Sequence, residues 1–292
     1  MWKRVHEGRM PIIFDDDSQM FYNTGFIDEL AGLLRVGGYV PDRYKNVIIP
    51  MMIITRLDYV LKDGKKELLD VVKGFEEAGQ WASMNQAEKD EFITLEDVMS
   101  EPQFIRNHFL DYIRGFSENI KNILNSFKFI DEINELNRKN ILFNVIDNFF
   151  RKKEVFDPNN ADDLAMGNMF EGIIRKYYAN PTAGQYFTPR DIIKLMVNLL
   201  IADMDNNEDL FEPETQVNIL DAACGTGGML SVAESTLKEL FPELKITLFG
   251  QEFSDELQAV CVSDMLIKGQ DARIEHVNTL TTDAYIYFRF CK

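Results

Sequence analysis

Apolar residues in the first half of the chain recur every three or four positions, which is the spacing of amphipathic helices. Glycine and proline residues interrupt this pattern and mark the expected helix ends. The pattern predicts helical segments at residues 26–36, 41–63 and 120–150, the second of them ending at Gly64. We therefore expect a helical domain over residues 26–157, preceded by an N-terminal arm of residues 1–25.

After residue 157, short apolar runs alternate with amphipathic segments. Helices are predicted at residues 162–178, 191–201 and 255–267. Buried strands are predicted at residues 217–220, 245–250 and 273–277. Strands that alternate with helices imply a parallel sheet with right-handed crossovers. The expected fold class is α/β, with the helical domain followed over residues 158–292 by part of a doubly wound, Rossmann-like domain.

The chain carries 31 basic and 48 acidic side chains, a formal net charge of −17. Proteins that bind nucleic acid unaided usually have a basic face, because neutralising phosphates supplies much of the affinity. If the substrate is DNA, we expect another chain to supply most of the contacts. No apolar run reaches the roughly 18 residues of a membrane span, and the N-terminus has no signal-peptide pattern. Three cysteines without CxxC spacing and three scattered histidines predict neither a disulfide scaffold nor a metal site, so we expect a reduced, cytoplasmic protein.

The sequence DAACGTGG, residues 221–228, lies where the first predicted strand meets a helix. Glycines there permit a tight turn and close approach of a ligand, while the helix directs its first N–H groups toward that ligand. A dinucleotide fingerprint requires a third glycine where this chain has Leu230. Asp221 fits poorly beside a pyrophosphate and suits a ligand that carries a cation, such as S-adenosylmethionine. An ordinary tight turn without a ligand is the alternative.

Glu252 ends the second predicted strand, 24 residues after Gly228. In doubly wound nucleotide folds, an acidic residue at about this spacing accepts hydrogen bonds from ribose hydroxyls. A strand-end glutamate that is merely solvated is the alternative. The spacing behind the glycine loop favours the ribose-binding role.

The sequence GQYFTPR, residues 184–190, precedes the helix predicted at 191–201. Thr188 is a good N-cap, Pro189 fits the first helical position, and Asp191 can complete a capping box. Capping leaves the adjacent Tyr186 and Phe187 unexplained. Their rings are expected either in the core or in the wall of a ligand cleft.

Together, GQYFTPR (184–190), DAACGTGG (221–228) and GQE (250–252) resemble, in order and spacing, the modification (M) subunit of type I restriction–modification systems. That family consists of DNA adenine N6-methyltransferases. The sequences ELAGLLR (29–35) and YKNVIIP (44–50) resemble the family's N-terminal helical domain. The resemblance extends over roughly residues 26–285.

The resemblance implies S-adenosylmethionine as the cofactor and a methyltransferase domain over residues 158–292. The implied partners are a specificity (S) subunit that reads double-stranded DNA, a restriction (R) subunit and a second M subunit. The target adenine would be flipped out of the duplex. The implied cofactor-binding residues are Gln185, Tyr186, Phe187, Thr188, Pro189, Arg190, Asp221, Thr226, Gly227, Gly228 and Glu252.

One motif of the family is absent from this sequence. The family holds the adenine amino group with an Asn/Asp-Pro-Pro-Tyr/Phe tetrapeptide after its fourth strand, and no such tetrapeptide occurs here. We therefore expect a truncation or frameshift before the motif, no catalytic residue in this chain, and no methyl transfer by the chain alone. The first strand would be an open edge that favours association. A non-catalytic assembly module remains an alternative, and a nicotinamide oxidoreductase is disfavoured by Leu230.

Overall fold

The computed structural model describes residues 18–76, 93–157, 163–178, 188–202 and 216–285. A set of helices forms the first half of these residues, and a small parallel sheet with flanking helices forms the second. The predicted α/β class is confirmed. Within the described part of the chain, no helix is both long enough and apolar enough to cross a membrane.

The described residues of the first half form helices, with two 3-10 turns at Pro41–Arg43 and Pro102–Phe104. The helices are α1 (Ser18–Val36), α2 (Lys45–Glu76), α3 (Leu95–Ser100), α4 (Ile105–Arg114), α5 (Glu118–Ser126), α6 (Phe129–Arg138), α7 (Leu142–Arg151), α8 (Lys153–Phe156) and α9 (Asp163–Tyr178).

Helix α1 begins at Ser18, so the C-terminal part of the predicted arm is helical and the expected start at residue 26 is wrong. Gly25 lies inside the helix, where a glycine costs only about 1 kcal/mol relative to alanine. The end of α1 is as predicted. Gly38 has a φ of 73°, its N–H donates to the Arg35 carbonyl, and the Tyr39 N–H donates to the Leu34 carbonyl. These two bonds form a Schellman motif.

Helix α2 continues through Gly64 to residue 76, so the predicted end at Gly64 is also wrong. Gly64 is exposed, and a Cβ built there meets no atom within 4 Å. The glycine therefore costs the helix about 1 kcal/mol through backbone entropy alone. A helix this long tolerates that cost because the buried residues of its first half pack in the core.

The segment predicted as one helix at residues 120–150 is divided among α5, α6 and α7. Lys128 and Asn140 have φ values of 53° and 57°, and this left-handed conformation stops a right-handed helix. The apolar periodicity nevertheless continues across both breaks. The buried apolar residues of this segment are Ile120, Ile123, Leu124, Phe127, Phe129, Ile133, Leu136, Ile141, Leu142, Val145, Ile146 and Phe149.

The second half contains a parallel three-stranded sheet in the order β1-β2-β3. Its elements are α10 (Arg190–Ala202), β1 (Gln216–Asp221), α11 (Gly228–Leu240), β2 (Lys245–Glu252), α12 (Asp255–Ile267) and β3 (Ala272–His276). The three strands, their parallel direction and the helices between them confirm the sequence prediction, with boundaries that differ by two residues or fewer.

Helix α12 joins the two halves of the molecule. Ala259, Val260 and Ile267 are buried in the core of the helical half. Cys261 and Met265 are buried in the separate core beneath the sheet. The same helix therefore contributes to both cores. Helix α9, although it follows residue 157, also packs its buried side chains into the helical core.

Candidate cofactor-binding site

Two predicted site residues end adjacent parallel strands. Asp221 is the last residue of β1 and Glu252 the last residue of β2. The strands run in register with Asp221 opposite Gly250. Both carboxylates therefore lie at the carboxyl edge of the sheet, where doubly wound folds bind their ligands.

Hydrogen bonds to β2 and to the segment after β3 fix the glycine loop between β1 and α11. The Cys224 N–H donates to the Gln251 carbonyl at 3.0 Å, and the Gly227 N–H closes a tight turn onto the Cys224 carbonyl at 2.8 Å. The Thr279 hydroxyl, beyond β3, donates to the Ala222 carbonyl. The loop is thus held in place by the polypeptide itself.

Gly225 and Gly227 both have positive φ values, 56° and 85°, but their surroundings differ. A Cβ on Gly227 would lie 2.5 Å from Met265 Cε and 2.7 Å from Cys261 Sγ, so helix α12 packs directly under this residue. A Cβ on Gly225 would meet no atom within 4 Å. Gly227 therefore has a packing role, while Gly225 leaves open space into which a ligand can approach the backbone.

The Glu252 carboxylate accepts hydrogen bonds from two separate backbone segments. Its Oε2 accepts from the Gly225 N–H at 3.0 Å, and its Oε1 accepts from the Ser254 N–H at 2.8 Å. The side chain is half-buried. Each carboxylate oxygen has a further lone pair, so Glu252 can accept two more donors without losing these bonds. A pair of ribose hydroxyls meets that requirement.

The site is electronegative. The Asp221 carboxylate accepts the Ala223 N–H at 3.0 Å. Burial raises the pKa of Asp221 and the negative charge of Glu252 raises it further, against the lowering effect of that hydrogen bond. A raised pKa means that the ionised carboxylate is destabilised. A cation bound nearby would relieve this, whereas a pyrophosphate would add repulsion. The residues present therefore fit a cofactor that carries positive charge and hydroxyl groups.

The structure describes only part of the GQYFTPR sequence. Gln185, Tyr186 and Phe187 lie outside the described residues. Thr188 and Pro189 are exposed at the start of α10, and Arg190 is its first residue.

The Pro189 carbonyl accepts hydrogen bonds from the N–H groups of Ile192 and Ile193. Pro189 therefore occupies the N-cap position that was expected for Thr188, and the first helical position is Arg190 instead of Pro189. The first turn of α10 still lies beside the glycine loop. Ile193 Cδ1 is 3.2 Å from where a Gly228 Cβ would be.

Phe253 is a candidate site residue that sequence reasoning missed. It follows Glu252 directly, and 71% of its surface is exposed. The His276 Nε2 on β3 is 2.8 Å from its backbone carbonyl and fixes the local backbone. The sequence feature that could have identified it is an apolar aromatic residue immediately after the acidic residue that ends a strand. Leu280, also highly exposed, lies in the turn after β3.

Cys224, in the glycine loop, packs against a second buried cysteine. Its Sγ lies 3.9 Å from Cys261 Sγ, and both thiols are buried and unbridged. The neighbouring Cys224 thiol, together with burial, raises the pKa of Cys261 well above its usual value. Cys261 is therefore not an activated nucleophile. Across the described ranges, no cluster of three or more His, Cys, Asp or Glu side chains could hold a metal ion.

This fold and site define a doubly wound α/β domain of the methyltransferase type, and comparisons with known proteins agree. The sequence profile described as "N-6 DNA Methylase" matches residues 160–288, and the one described as "HsdM N-terminal domain" matches residues 23–166. Together they span residues 23–288. The chain therefore belongs to the family of modification subunits of type I restriction enzymes.

Two similar proteins are the type I restriction enzyme EcoEI methylase subunit of Escherichia coli, 27% identical over 161 residues, and the MpnII methylase subunit of Mycoplasma pneumoniae, 29% identical over 132 residues. These matches cover 52% and 44% of this chain, but only 30% and 22% of those subunits. The solved methyltransferase subunit of a type I restriction–modification system from Streptococcus thermophilus has the same fold. Its TM-score is 0.60 at 15% identity, covering 91% of this chain and 60% of that one.

Proposed function

We propose that the chain binds S-adenosylmethionine at the carboxyl edge of its sheet and serves as the modification subunit of a type I DNA adenine N6-methyltransferase. The observation that carries the proposal is the Glu252 carboxylate. It accepts hydrogen bonds from the N–H groups of Gly225 and Ser254, and it lies beside a glycine loop that has open space at Gly225.

In this proposal, Glu252 accepts the ribose hydroxyls and the exposed Phe253 ring lies against the adenine base. Thr226, Gly227 and Gly228 run along the cofactor, and Asp221 faces its positively charged amino acid end. Residues 185–190 bind the methionine end of the cofactor. When bound, the cofactor supplies an electrophilic methyl group on a sulfonium.

The electrostatics of the site argue against a nicotinamide dinucleotide. Asp221 and Glu252 are close enough for the charge of Glu252 to raise the pKa of Asp221. A pyrophosphate at the glycine loop would bring two more negative charges to this pair. The net positive charge of the sulfonium and ammonium groups, balanced by a single carboxylate, removes that repulsion.

Alanine at position 252 tests the cofactor assignment. We expect Glu252→Ala to weaken S-adenosylmethionine binding by about 30- to 150-fold, because charged hydrogen bonds worth about 2–3 kcal/mol are lost. The measurement is a calorimetric titration of the 292-residue chain, repeated with NAD⁺. Glu239→Ala, which removes an exposed glutamate near the end of α11, is the matched control and should bind as the wild type does.

Glu252→Gln keeps a carbonyl oxygen for one of the two backbone N–H groups, and it separates loss of ligand contacts from distortion of the loop. A melting temperature near that of the wild type, with weakened binding, supports direct contact. Equal affinity in the wild type and Glu252→Ala would contradict the assignment, as would saturable binding of NAD⁺ in place of S-adenosylmethionine.

The net charge of −17 supports a division of labour in which an S subunit makes the base-specific DNA contacts. An R subunit and a second M subunit complete the proposed assembly.

A further inference from the structure

A cavity of about 340 Å³ lies in the helical half, between α2, α4 and the start of α5. Ligand cavities in proteins commonly measure about 300 to 1,000 Å³, so this one has room for a small molecule. It shares no residue with the candidate cofactor-binding site. Most of its wall is apolar, which favours a ligand with a hydrocarbon body. The apolar and aromatic side chains of the wall are Leu57, Leu61, Tyr112, Phe116 and Ile120.

Among the residues that the structure describes, the charged side chain that lines this cavity is Lys65 of α2. Its Nζ lies 5.1 Å from the ring centroid of Tyr112 and 5.7 Å from that of Phe116, where the faces of aromatic rings attract a cation. The ammonium also donates a hydrogen bond to the Ile93 carbonyl at 2.9 Å. The two rings and this bond hold the ammonium in place at the cavity. Two of its three N–H groups remain for a ligand.

The charge of Lys65 is only partly compensated by the protein. Burial lowers the pKa of Lys65, and the negative charges of Asp58 and Asp97 act in the opposite direction. Both carboxylates are bonded elsewhere. Asp58 accepts the Tyr112 hydroxyl and the Leu95 N–H, and Asp97 completes the capping box of α3. An anion bound in the cavity would therefore stabilise the Lys65 ammonium directly.

The start of α5 is a second source of positive potential at the same cavity. Ser117 is the N-cap of α5 and Ile120 lies in its first turn, and both line the cavity. The Ser117 side chain makes no capping hydrogen bond, so the first N–H groups of the helix keep their partial positive charge. Glu118, the acidic residue of this turn, is 80% exposed and pairs with Lys121 at 3.0 Å. Lys65 and the start of α5 thus both favour a bound anion.

We propose that this cavity binds a small carboxylic acid with an apolar body, such as a medium-chain fatty acid. The carboxylate accepts hydrogen bonds from the Lys65 ammonium and from the start of α5, and the hydrocarbon chain packs on Leu57, Leu61 and Phe116. One ammonium balances one negative charge, which favours a carboxylate over a phosphate dianion. The site is separate from Glu252 and the glycine loop, so its test does not depend on the identity of the cofactor.

The probe is octanoate, titrated calorimetrically into the 292-residue chain, and octanamide is the neutral probe of the same length. We expect saturable 1:1 binding of octanoate and at least about 10-fold weaker binding of octanamide, because charge-assisted hydrogen bonds are lost. Lys65→Met removes the ammonium and keeps an unbranched side chain. It should weaken octanoate binding by at least about 10-fold and leave octanamide binding unchanged. Lys121→Met, which removes a lysine that pairs with Glu118, is the matched control and should bind both probes as the wild type does.

Ser117→Phe is a second variant, which introduces a ring at an exposed position of the cavity wall. It should abolish binding of both probes while the melting temperature stays near that of the wild type. The proposal would be overturned if the wild type showed no saturable octanoate binding, or if Lys65→Met or Ser117→Phe bound octanoate with wild-type affinity. An equal loss of affinity for both probes in Lys65→Met would also overturn it, because Lys65 would then support the cavity wall without binding the carboxylate.

Discussion

Replacing Gly227 with alanine is expected to lower the free energy of unfolding by about 2–5 kcal/mol. A non-glycine residue at positive φ costs about 1–2 kcal/mol, and forcing a methyl group into a packed core costs about 1–3 kcal/mol more. Both costs apply, because φ is 85° and the new Cβ would lie 2.5 Å from Met265 Cε and 2.7 Å from Cys261 Sγ. Chemical denaturation monitored by circular dichroism measures the change.

Two other glycines are matched controls. Gly225→Ala has the positive φ but no neighbour within 4 Å, so only the backbone cost of about 1–2 kcal/mol is expected. Gly172→Ala, inside α9 with open space around its Cβ, should stabilise the chain by up to about 1 kcal/mol. If Gly227→Ala were no more destabilising than Gly225→Ala, the packing of α12 against the glycine loop would be wrong.

Removing the guanidinium of Arg43 is the second change with a large expected effect. Glu132, on α6, is only 3% exposed, and both of its oxygens accept hydrogen bonds from Arg43, at 3.2 and 2.7 Å. Arg43→Ala leaves a buried carboxylate that has lost both of these bonds, with the Asn46 amide 3.5 Å away. Breaking a buried pair costs about 3–5 kcal/mol. Because the Arg43 side chain is 42% exposed, about 2–3 kcal/mol is expected.

Arg138→Ala is the control for this change, because Arg138 makes a comparable two-bonded pair with Glu135 on the surface. Its melting temperature should match the wild type. The double variant Arg43→Ala/Glu132→Gln removes the buried charge and should recover part of the lost stability. A double variant less stable than Arg43→Ala would show that the charge on Glu132 is not the source of the cost.

The sheet and its helices were predictable because their boundaries have local causes. Helix α12 was predicted at the residues where it occurs. The Ser254 hydroxyl accepts the Leu257 N–H at its start, and Gly269, with a φ of 62°, follows its end. The break at Lys128 has no such cause, since lysine rarely adopts a positive φ and tertiary packing decides it. Gly64 is the converse case, because glycine locally disfavours a helix and yet α2 continues through this position.

The sequence predicted that the residues of the candidate site lie at one edge of the sheet. It did not predict which hydrogen bonds those residues make. The order and spacing of the glycine loop and Glu252 place both at the same edge of a parallel sheet. That Glu252 joins the Gly225 and Ser254 backbones depends on the register of two strands, which no local pattern specifies. Phe253 was missed because its exposure is a property of the folded surface.

Helix α12 places Val260 in the core of the helical half and the adjacent Cys261 against Gly227. A contact that displaces α12 from the core of the helical half is therefore expected to alter the free energy of the glycine loop. Thermodynamic linkage would make such an effect reciprocal, so a ligand at the loop and a ligand on the helical half would change each other's affinity by the same factor.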